Sequence, residues 1–179
     1  MKSKIVKGYK FVTSDLKSKN GVCQWSVGEW KHHDGKLAMC ESGLHASSTP
    51  LDSLQYTYGD RWFIVEAKGI LGKVEGDKFV CSDMKLVQEI PVSKVLVPFA
   101  IACARHCYAN FKKYDPKDTV VLAAIEAAEK CFADPSKENV DAAWSAAWSA
   151  ARSAARSAEK QWQQRLLHRL IKKAIKAGK

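Results

Sequence analysis

Residues 142–157 are four consecutive tetrapeptides, Ala-Ala-Trp-Ser twice and then Ala-Ala-Arg-Ser twice. Alanine favours the α-helix more than any other residue, and no glycine or proline occurs between Pro135 and Gly178. A single helix over residues 141–176 would be about 54 Å long. Because a small domain is narrower than this, we expect part of the helix to project or to meet a second chain.

The four-residue period places the large side chains of this repeat on one slowly winding stripe. The stripe drifts by about 40° per repeat, because a helical turn has about 3.6 residues. These side chains either stack on bases and neutralise phosphates, or the indole rings pack on the preceding helices while the guanidinium groups stay in water. We favour the second alternative. The residues concerned are Trp144, Trp148, Arg152 and Arg156.

Positive charge collects at the same end of the chain. Lys plus Arg number 29 against 19 Asp plus Glu, a formal net charge of +10, and residues 141–179 hold nine of the basic and two of the acidic side chains. This asymmetry predicts an acidic partner: a nucleic acid, an anionic lipid surface or an acidic protein. The alternative is a solvated helix face without a partner. In the second half of the long basic helix, the residues predicted to contact this partner are Arg165, Arg169, Lys172 and Lys173.

Residues 1–92 have the turn residues and periodicity of a β-rich domain. Residues 5–12 are a predicted first strand, and residues 61–67, aromatic and β-branched, are the strongest one. Gly76-Asp77 indicates a hairpin turn, with a strand after it at residues 78–81 and a separate strand at residues 85–90. Thr49 before Pro50 predicts the start of a short helix.

The rest of the chain is predicted to be helical. Residues 93–135 form a pair of helices, one over residues 95–114 and one beginning at Asp115, and residues 136–179 form the long basic helix. The predicted fold class is therefore α+β: an N-terminal mixed or antiparallel β-sheet domain followed by three helices, the last of them long and basic.

Several classes of protein are excluded by this sequence. No apolar stretch follows the charged N-terminal residues, so no signal peptide is predicted. The longest apolar run, residues 95–104, is too short to cross a bilayer. We therefore expect a soluble, cytoplasmic protein with no membrane span. Its six cysteines include no Cys-x-x-Cys pair, so reduced thiols and no metal site are expected.

Three motifs resemble those of an uncharacterised domain of phage and prophage proteins, over roughly the first 95 residues. They are Tyr9-Lys10, the Cys-Glu-Ser-Gly-Leu-His-Ala-Ser turn at residues 40–47 and the Val-Glu-Ala-Lys-Gly strand at residues 65–69. The resemblance implies a phage- or prophage-type accessory protein in the cytoplasm of the host cell. We expect it to bind a host protein or nucleic acid through the basic C-terminal helix, with anti-defence or host-takeover inhibition as the most concrete form.

Residues 61–69 and 85–90 are more distantly similar to the last two elements of the small ADP-ribosyltransferase fold, particularly the rifampicin-modifying enzymes. This similarity implies an alternative function, an NAD-dependent ADP-ribosyltransferase, with His45, Glu66 and Glu89 as catalytic candidates. Lys10-Phe11 stands where these enzymes carry the His-Gly pair that contacts NAD. A lysine does not reproduce the imidazole contacts, so the similarity favours the fold more than the activity.

His45 is the residue best suited to chemistry, because Glu41 is close in the chain and a carboxylate can poise a histidine as a general base. In the interpretation that we favour, the ring instead bonds to the backbone and fixes the turn. Glu66 lies in an apolar strand, where a buried carboxylate needs a partner or a shifted pKa. Alternation along that strand slightly favours a position facing solvent.

A third alternative is a self-associating structural protein built on the Ala/Trp helix, in which case the chain forms homo-oligomers. Neither a cofactor nor a metal is expected for the favoured binding function. NAD is the cofactor only in the ADP-ribosyltransferase alternative.

Overall fold

The computed structural model of the protein describes residues 4–19, 23–57, 59–71, 76–113, 120–133 and 160–178. Its internal contacts divide the chain into two compact units, Met1–Val92 and Ser93–Lys179. The first unit contains the strands and the second contains the longer helices, so the predicted α+β class is confirmed.

The strands of the first unit, as far as the structure describes them, form one antiparallel sheet that closes on itself. Their bounds are β1 (Val6–Val12), β2 (Trp30–His32), β3 (Leu44–Ser47), β4 (Arg61–Ile70) and β5 (Lys78–Ile90). β5 pairs with β4, β4 with β1 and β3 with β5, and the pairing of Tyr9 with Ser47 joins β1 to β3. β2 pairs with β5 beyond the end of β3. β5 is continuous, whereas the sequence predicted two separate strands there.

Apolar side chains fill the inside of this closed ladder. Phe63, Val65 and Ala67 alternate along β4, as a period of two residues requires. Burying each large side chain of this kind contributes about 1.5–3 kcal/mol to stability. The buried cluster consists of Val12, Trp25, Leu44, Ala46, Phe63, Val65, Ala67, Phe79, Cys81, Met84 and Leu86.

A second set of contacts lies on the opposite face of β1 and β4. The rings of Phe11 and Trp62 are stacked with their centroids 5.2 Å apart. The Trp62 indole N–H donates to Ser53 Oγ at 3.1 Å. Ser53 ends a short helix, α1 (Pro50–Ser53), which a 3₁₀ turn follows at Leu54–Tyr56. Thr49 caps α1 by accepting from the Asp52 N–H, so the predicted helix start is confirmed.

Three helices are described in the remainder of the chain: α2 (Val92–Phe111), α3 (Val120–Ala133) and α4 (Lys160–Ala177). α2 begins directly after Pro91, three residues before the predicted start at residue 95. Within the second unit, Arg105 of α2 forms an ion pair with Glu129 of α3 at 2.6 Å. The His106 ring of α2 stacks on Trp162 of α4 with centroids 4.4 Å apart.

The predicted helix over residues 141–176 is described only from Lys160 onward, where α4 confirms it. The Ala-Ala-Trp-Ser and Ala-Ala-Arg-Ser repeat, with Trp144, Trp148, Arg152 and Arg156, lies outside the described residues, as does the predicted helix start at Asp115.

Two further findings apply to the described part of the chain. No helix in it combines the length and the apolar character needed to cross a membrane. No group of three His, Cys, Asp or Glu side chains in it is placed to hold a metal ion, and Cys23, Cys40, Cys81 and Cys107 form no disulfide.

Candidate binding site between β1 and β3

A cleft lies along β1 and β3 because these strands pair at a single position, Tyr9 with Ser47. One residue further along β1, the Lys10 ammonium donates to the backbone carbonyl of His45 at 2.9 Å. A side chain therefore satisfies a carbonyl that a regular ladder would pair with a backbone N–H. The cleft contains a cavity of about 610 Å³, within the usual range of small-molecule sites.

Lys10 is the most unusual residue of this cleft. It shares the inward face of β1 with Val12, and its ammonium lies 5.4 Å from the centre of the Trp25 ring. Burial is the main cause that lowers the pKa of Lys10 to about 8. The ammonium donates to the His45 carbonyl and lies over the Trp25 ring, and the nearby thiols of Cys23 and Cys81 oppose part of the fall in its pKa. None of these groups is a carboxylate. The charge of Lys10 therefore lacks an anionic partner among the described residues.

His45 forms the second part of the cleft. The Cys40 backbone N–H donates to His45 Nε2 at 3.0 Å, so this nitrogen accepts and carries no proton. Burial lowers the pKa of His45, and the nearby charges of Lys10 and Lys78 lower it further. The hydrogen bond from Cys40 holds the turn. It also occupies the Nε2 lone pair, which His45 would need in order to accept a proton there as a general base.

The local backbone of this turn explains its residue types. Cys40 has a positive φ of 67°, and Gly43 has a φ of +116°. A Cβ on Gly43 would lie 2.5 Å from Val80 Cγ2 and 2.8 Å from Leu37 Cδ2, so no larger residue fits without displacement. Any larger residue at position 43 would strain the backbone and displace one of these side chains, so this turn favours glycine.

Lys78 lies at the rim of the cleft, opposite Ser47 in the register of β3 and β5. Its ammonium is 4.6 Å from the centre of the Tyr56 ring. A hydrogen bond with the Cys40 side chain is the main cause that raises the pKa of Lys78. The Tyr56 hydroxyl in turn donates to the Asp77 carboxylate. Lys78 therefore keeps its charge at neutral pH.

The structure brings His45 into the cleft, but neither glutamate predicted with it lines the cavity. Glu66 lies between the inward residues Val65 and Ala67, so it faces outward, where it pairs with Lys85 at 2.9 Å. The outward direction agrees with the alternation along the strand, although the ion pair with Lys85 leaves the Glu66 side chain half-buried.

Glu89 lies on the inward face of the β4–β5 hairpin. It stands directly opposite Phe63 in the strand pairing, and Phe63 belongs to the buried cluster. There it accepts two hydrogen bonds from Arg61, at 2.8 and 2.6 Å. Glu66 and Glu89 are therefore on opposite faces of the β4–β5 hairpin, each held by a basic side chain.

The predicted contact residues of the C-terminal helix lie on one face of α4. Arg165, Arg169, Lys172 and Lys173 are all exposed. The opposite face is apolar, with Leu166, Leu167, Ile171 and Ala174 buried. No acidic residue occurs between Lys160 and Gly178. α4 thus presents a basic face, formed by Arg165, Arg169, Lys172, Lys173 and Lys176, and Lys160 is exposed at its first residue.

Sequence reasoning missed the role of Lys10 and Lys78 in the cleft. A signal for Lys10 was present, since a charged residue stands on the same face of the first strand as Gly8 and Val12. Nothing local indicates Lys78, because its place in the cleft depends on the pairing of β3 with β5.

Residues 6–97 match a family described as a domain of unknown function, DUF7666. The match covers 92 of the 179 residues, from the start of β1 into the first turns of α2. It therefore includes the whole cleft and leaves α3 and α4 outside. None of the curated proteins and none of the solved structures gives a significant match to the chain.

Proposed function

The chain belongs to the DUF7666 family, a family without an assigned function, and we propose that it acts by binding an acidic macromolecule through the basic face of α4. The observation that carries this proposal is the charge of α4: it has six exposed basic side chains, and no acidic residue occurs between Lys160 and Gly178. The biological setting that we propose is a phage- or prophage-type accessory protein, with a host macromolecule as the target.

The construction of α4 supports a binding role for its charged face. Leu167 and Ile171 are buried, which holds the helix in place and leaves Arg169 and Lys173 toward solvent. Like charges on one helix face repel each other, and without a partner this repulsion costs stability. An acidic surface relieves the repulsion and releases the counterions of both partners. The area that binds is therefore fixed in shape before binding.

The contacts of the cleft favour binding over ADP-ribosyl transfer. The enzyme alternative needs His45, Glu66 and Glu89 at one site. Glu66 and Glu89 instead lie on opposite faces of the β4–β5 hairpin, each in an ion pair. His45 already uses Nε2 to hold the turn. This arrangement supports a protein whose effect comes from the partner that it holds.

The test is affinity capture from host lysate with the full chain and two charge-neutralised variants. The first replaces Arg165, Arg169, Lys172 and Lys173 by Gln. The matched control replaces four exposed lysines elsewhere by Gln: Lys4, Lys7, Lys36 and Lys94. We expect the macromolecule captured by the wild-type chain to be retained by the control and lost by the α4 variant. Equal capture by both variants contradicts the proposal.

The salt dependence of the same interaction identifies the class of partner. For a nucleic acid, the logarithm of the affinity falls linearly with the logarithm of the salt concentration, and the α4 variant has a shallower slope. For an acidic protein recognised partly through apolar contacts, the slope is smaller. An affinity that does not change with salt concentration shows that the charges of α4 do not contribute to binding.

A further inference from the structure

The cleft between β1 and β3 is lined by far more positive than negative charge. Among the described residues, its lining includes Lys10, Lys19, Lys31 and Lys78, and Glu41 is the one carboxylate. Lys10 lies on the inward face of its strand, and Lys78 lies at the rim. We propose that this cleft binds a small ligand bearing a phosphate-class oxyanion, held by the ammonium groups of Lys10 and Lys78. None of the residues that line it belongs to α4, and the proposal is independent of the function proposed for α4.

The unpaired charge of Lys10 is the first reason. Lys10 is half-buried, and a charge that is partly withdrawn from water is costly unless an opposite charge or several hydrogen bonds compensate it. An ammonium has three N–H donors, and the described structure satisfies one of them, through the His45 carbonyl at 2.9 Å. A lowered pKa is the expected consequence of this deficit. An oxyanion in the cavity supplies both the missing charge and the missing acceptors.

The position of His45 is the second reason. Lys10 on β1 and Lys78 on β5 both line the cavity, and these two strands flank β3, which carries His45. Both ammonium groups lower the pKa of His45, which agrees with this placement. Two separate positive charges that face one cavity match the two negative charges of a phosphate dianion better than they match the single charge of a carboxylate. Because His45 stays neutral there, its ring adds no charge of its own.

The size and rings of the cleft favour an ester over the free ion. A volume of about 610 Å³ far exceeds that of one phosphate group. Trp25 is 3% exposed, and its indole N–H donates to Ser18 Oγ at 2.9 Å, which fixes the ring beside Lys10. The Tyr56 ring lies under Lys78. Apolar and aromatic surface next to the cations can cover the organic part of a phosphate monoester.

The competing explanation is that Lys10 only ties β1 to β3. In that case the bond to the His45 carbonyl is its whole role, and anions other than chloride have no specific effect. The two explanations differ in whether phosphate binds at the cleft, and this difference decides the experiment.

The experiment measures binding to the full chain by calorimetry at constant ionic strength. The probes are inorganic phosphate and phenyl phosphate, with acetate and chloride as comparison anions. We expect Lys10→Met to weaken phosphate binding by about tenfold or more, since a charge-assisted hydrogen bond contributes about 1.5–3 kcal/mol. Lys78→Met should weaken it several-fold. Lys7→Met, on the same strand but exposed and outside the cleft, should leave it unchanged.

A second measurement locates the bound anion even if Lys10→Met does not fold. In ¹H–¹⁵N NMR spectra of the wild-type chain, phenyl phosphate should shift the amides of Lys10 and of residues 40–47. The variant with four neutralised residues on α4 should show the same shifts. Shifts confined to α4, or no binding beyond that of chloride, overturn the proposal without affecting the function proposed for α4.

The two probes also separate the sources of the oxyanion. Tighter binding of phenyl phosphate than of inorganic phosphate shows that the organic part contacts the rings, as expected for an ester ligand. Equal affinity shows a site for the free ion. Either result supports an oxyanion site, whereas acetate binding as tightly as phosphate contradicts the phosphate class.

Discussion

At the scale of single residues, Lys10 and His45 show how burial changes the chemistry of ordinary side chains. Both lie in the cleft, and burial is the main cause that lowers the pKa of each. One bond, from the Lys10 ammonium to the His45 carbonyl, joins the two residues across the gap between β1 and β3. The protonation of Lys10 and of His45 is therefore coupled to the folding of the closed sheet of β1 to β5.

The pKa of Lys10 predicts that the protein becomes more stable in alkali. As the pH rises, the folded chain releases this proton near pH 8, before the unfolded chain does at 10.5. Between these values the unfolded state binds more protons, so the free energy of unfolding rises with pH, by at most about 3 kcal/mol. Denaturant unfolding at several pH values should show this increase in the wild-type chain. The same series on Lys10→Met should lack it, and an identical pH profile in both contradicts the assignment.

His45 predicts a loss of stability in acid. Its folded pKa lies below the ordinary value of 6.5, so the unfolded chain takes up the proton first as the pH falls. The stability that neutral His45 contributes is complete above pH 6.5 and declines below it. His45→Ala should cost about 1–3 kcal/mol near pH 7.5, because the Cys40 N–H loses its acceptor.

The difference between wild type and His45→Ala should shrink as the pH falls through 6, which denaturant titrations at each pH can measure. His32→Ala is the control, since His32 is exposed and is held instead by Asp83 at 2.8 Å. Its folded pKa is raised, so its effect on stability has the opposite dependence on pH.

At the scale of elements, the turn before β3 and the helix α4 are each specified by a few side chains. The turn needs glycine at residue 43, where φ is +116°. α4 needs its apolar face, because its charged face contributes little to the fold. Local sequence therefore controls these elements in different ways, through the backbone in the turn and through burial in the helix.

Gly43→Ala should destabilise the first unit more than Gly28→Ala does. Both glycines have a positive φ, so both substitutions introduce backbone strain of about 1 kcal/mol or more. A Cβ at residue 43 also meets Val80 at 2.5 Å, whereas residue 28 has no atom within 4 Å. The comparison isolates the cost of the clash, and thermal unfolding measures it. Equal losses for the two variants show that the clash is relieved without cost.

On α4, neutralising the basic face should leave the melting temperature nearly unchanged. Exposed charges usually contribute within about ±0.5 kcal/mol each, and Arg165, Arg169, Lys172 and Lys173 are exposed. Leu167→Ala, at a residue that is 0% exposed, should instead cost about 2–5 kcal/mol. Thermal unfolding of the two variants makes the comparison. A large loss on neutralisation means that these side chains hold the fold, which removes the reason to assign them to a partner.

At the scale of the whole molecule, the chain has two compact units and the family match ends just inside the second. The first unit has its own buried cluster and a closed set of strand pairings. A sheet that closes in this way leaves few unpaired edges, and a unit with its own core could in principle fold alone. The cleft belongs entirely to this unit.

We therefore expect a chain of residues 1–92 to fold by itself. Its ¹H–¹⁵N NMR spectrum should show dispersed amide signals, and it should bind phenyl phosphate as the full chain does. In the full chain, trypsin should cut first after Lys112 or Lys113, which are exposed at the end of α2. An insoluble or unfolded chain of residues 1–92 shows that the helices complete the core of the first unit.

The types of the elements were determined by the sequence alone, because they depend on neighbours in the chain. The alternation around Phe63, the Thr49 cap before Pro50 and the period of α4 are local patterns with local physical causes. The α+β class follows from their order. Of the cleft residues, sequence reasoning identified His45 and its turn at residues 40–47, whereas it missed the roles of Lys10 and Lys78.

Only the tertiary structure decided which strands meet and what the gap between β1 and β3 contains. Tyr9 meets Ser47, and Ser47 meets Lys78, across more than 30 residues of chain in each case. The pairing register also separates Glu66 from Glu89 by turning them to opposite faces of one hairpin. A shift of one residue in any pairing reverses every side chain of that strand. The partners of Lys10 and His45 depend on long-range register, which the composition and the period of a strand do not specify.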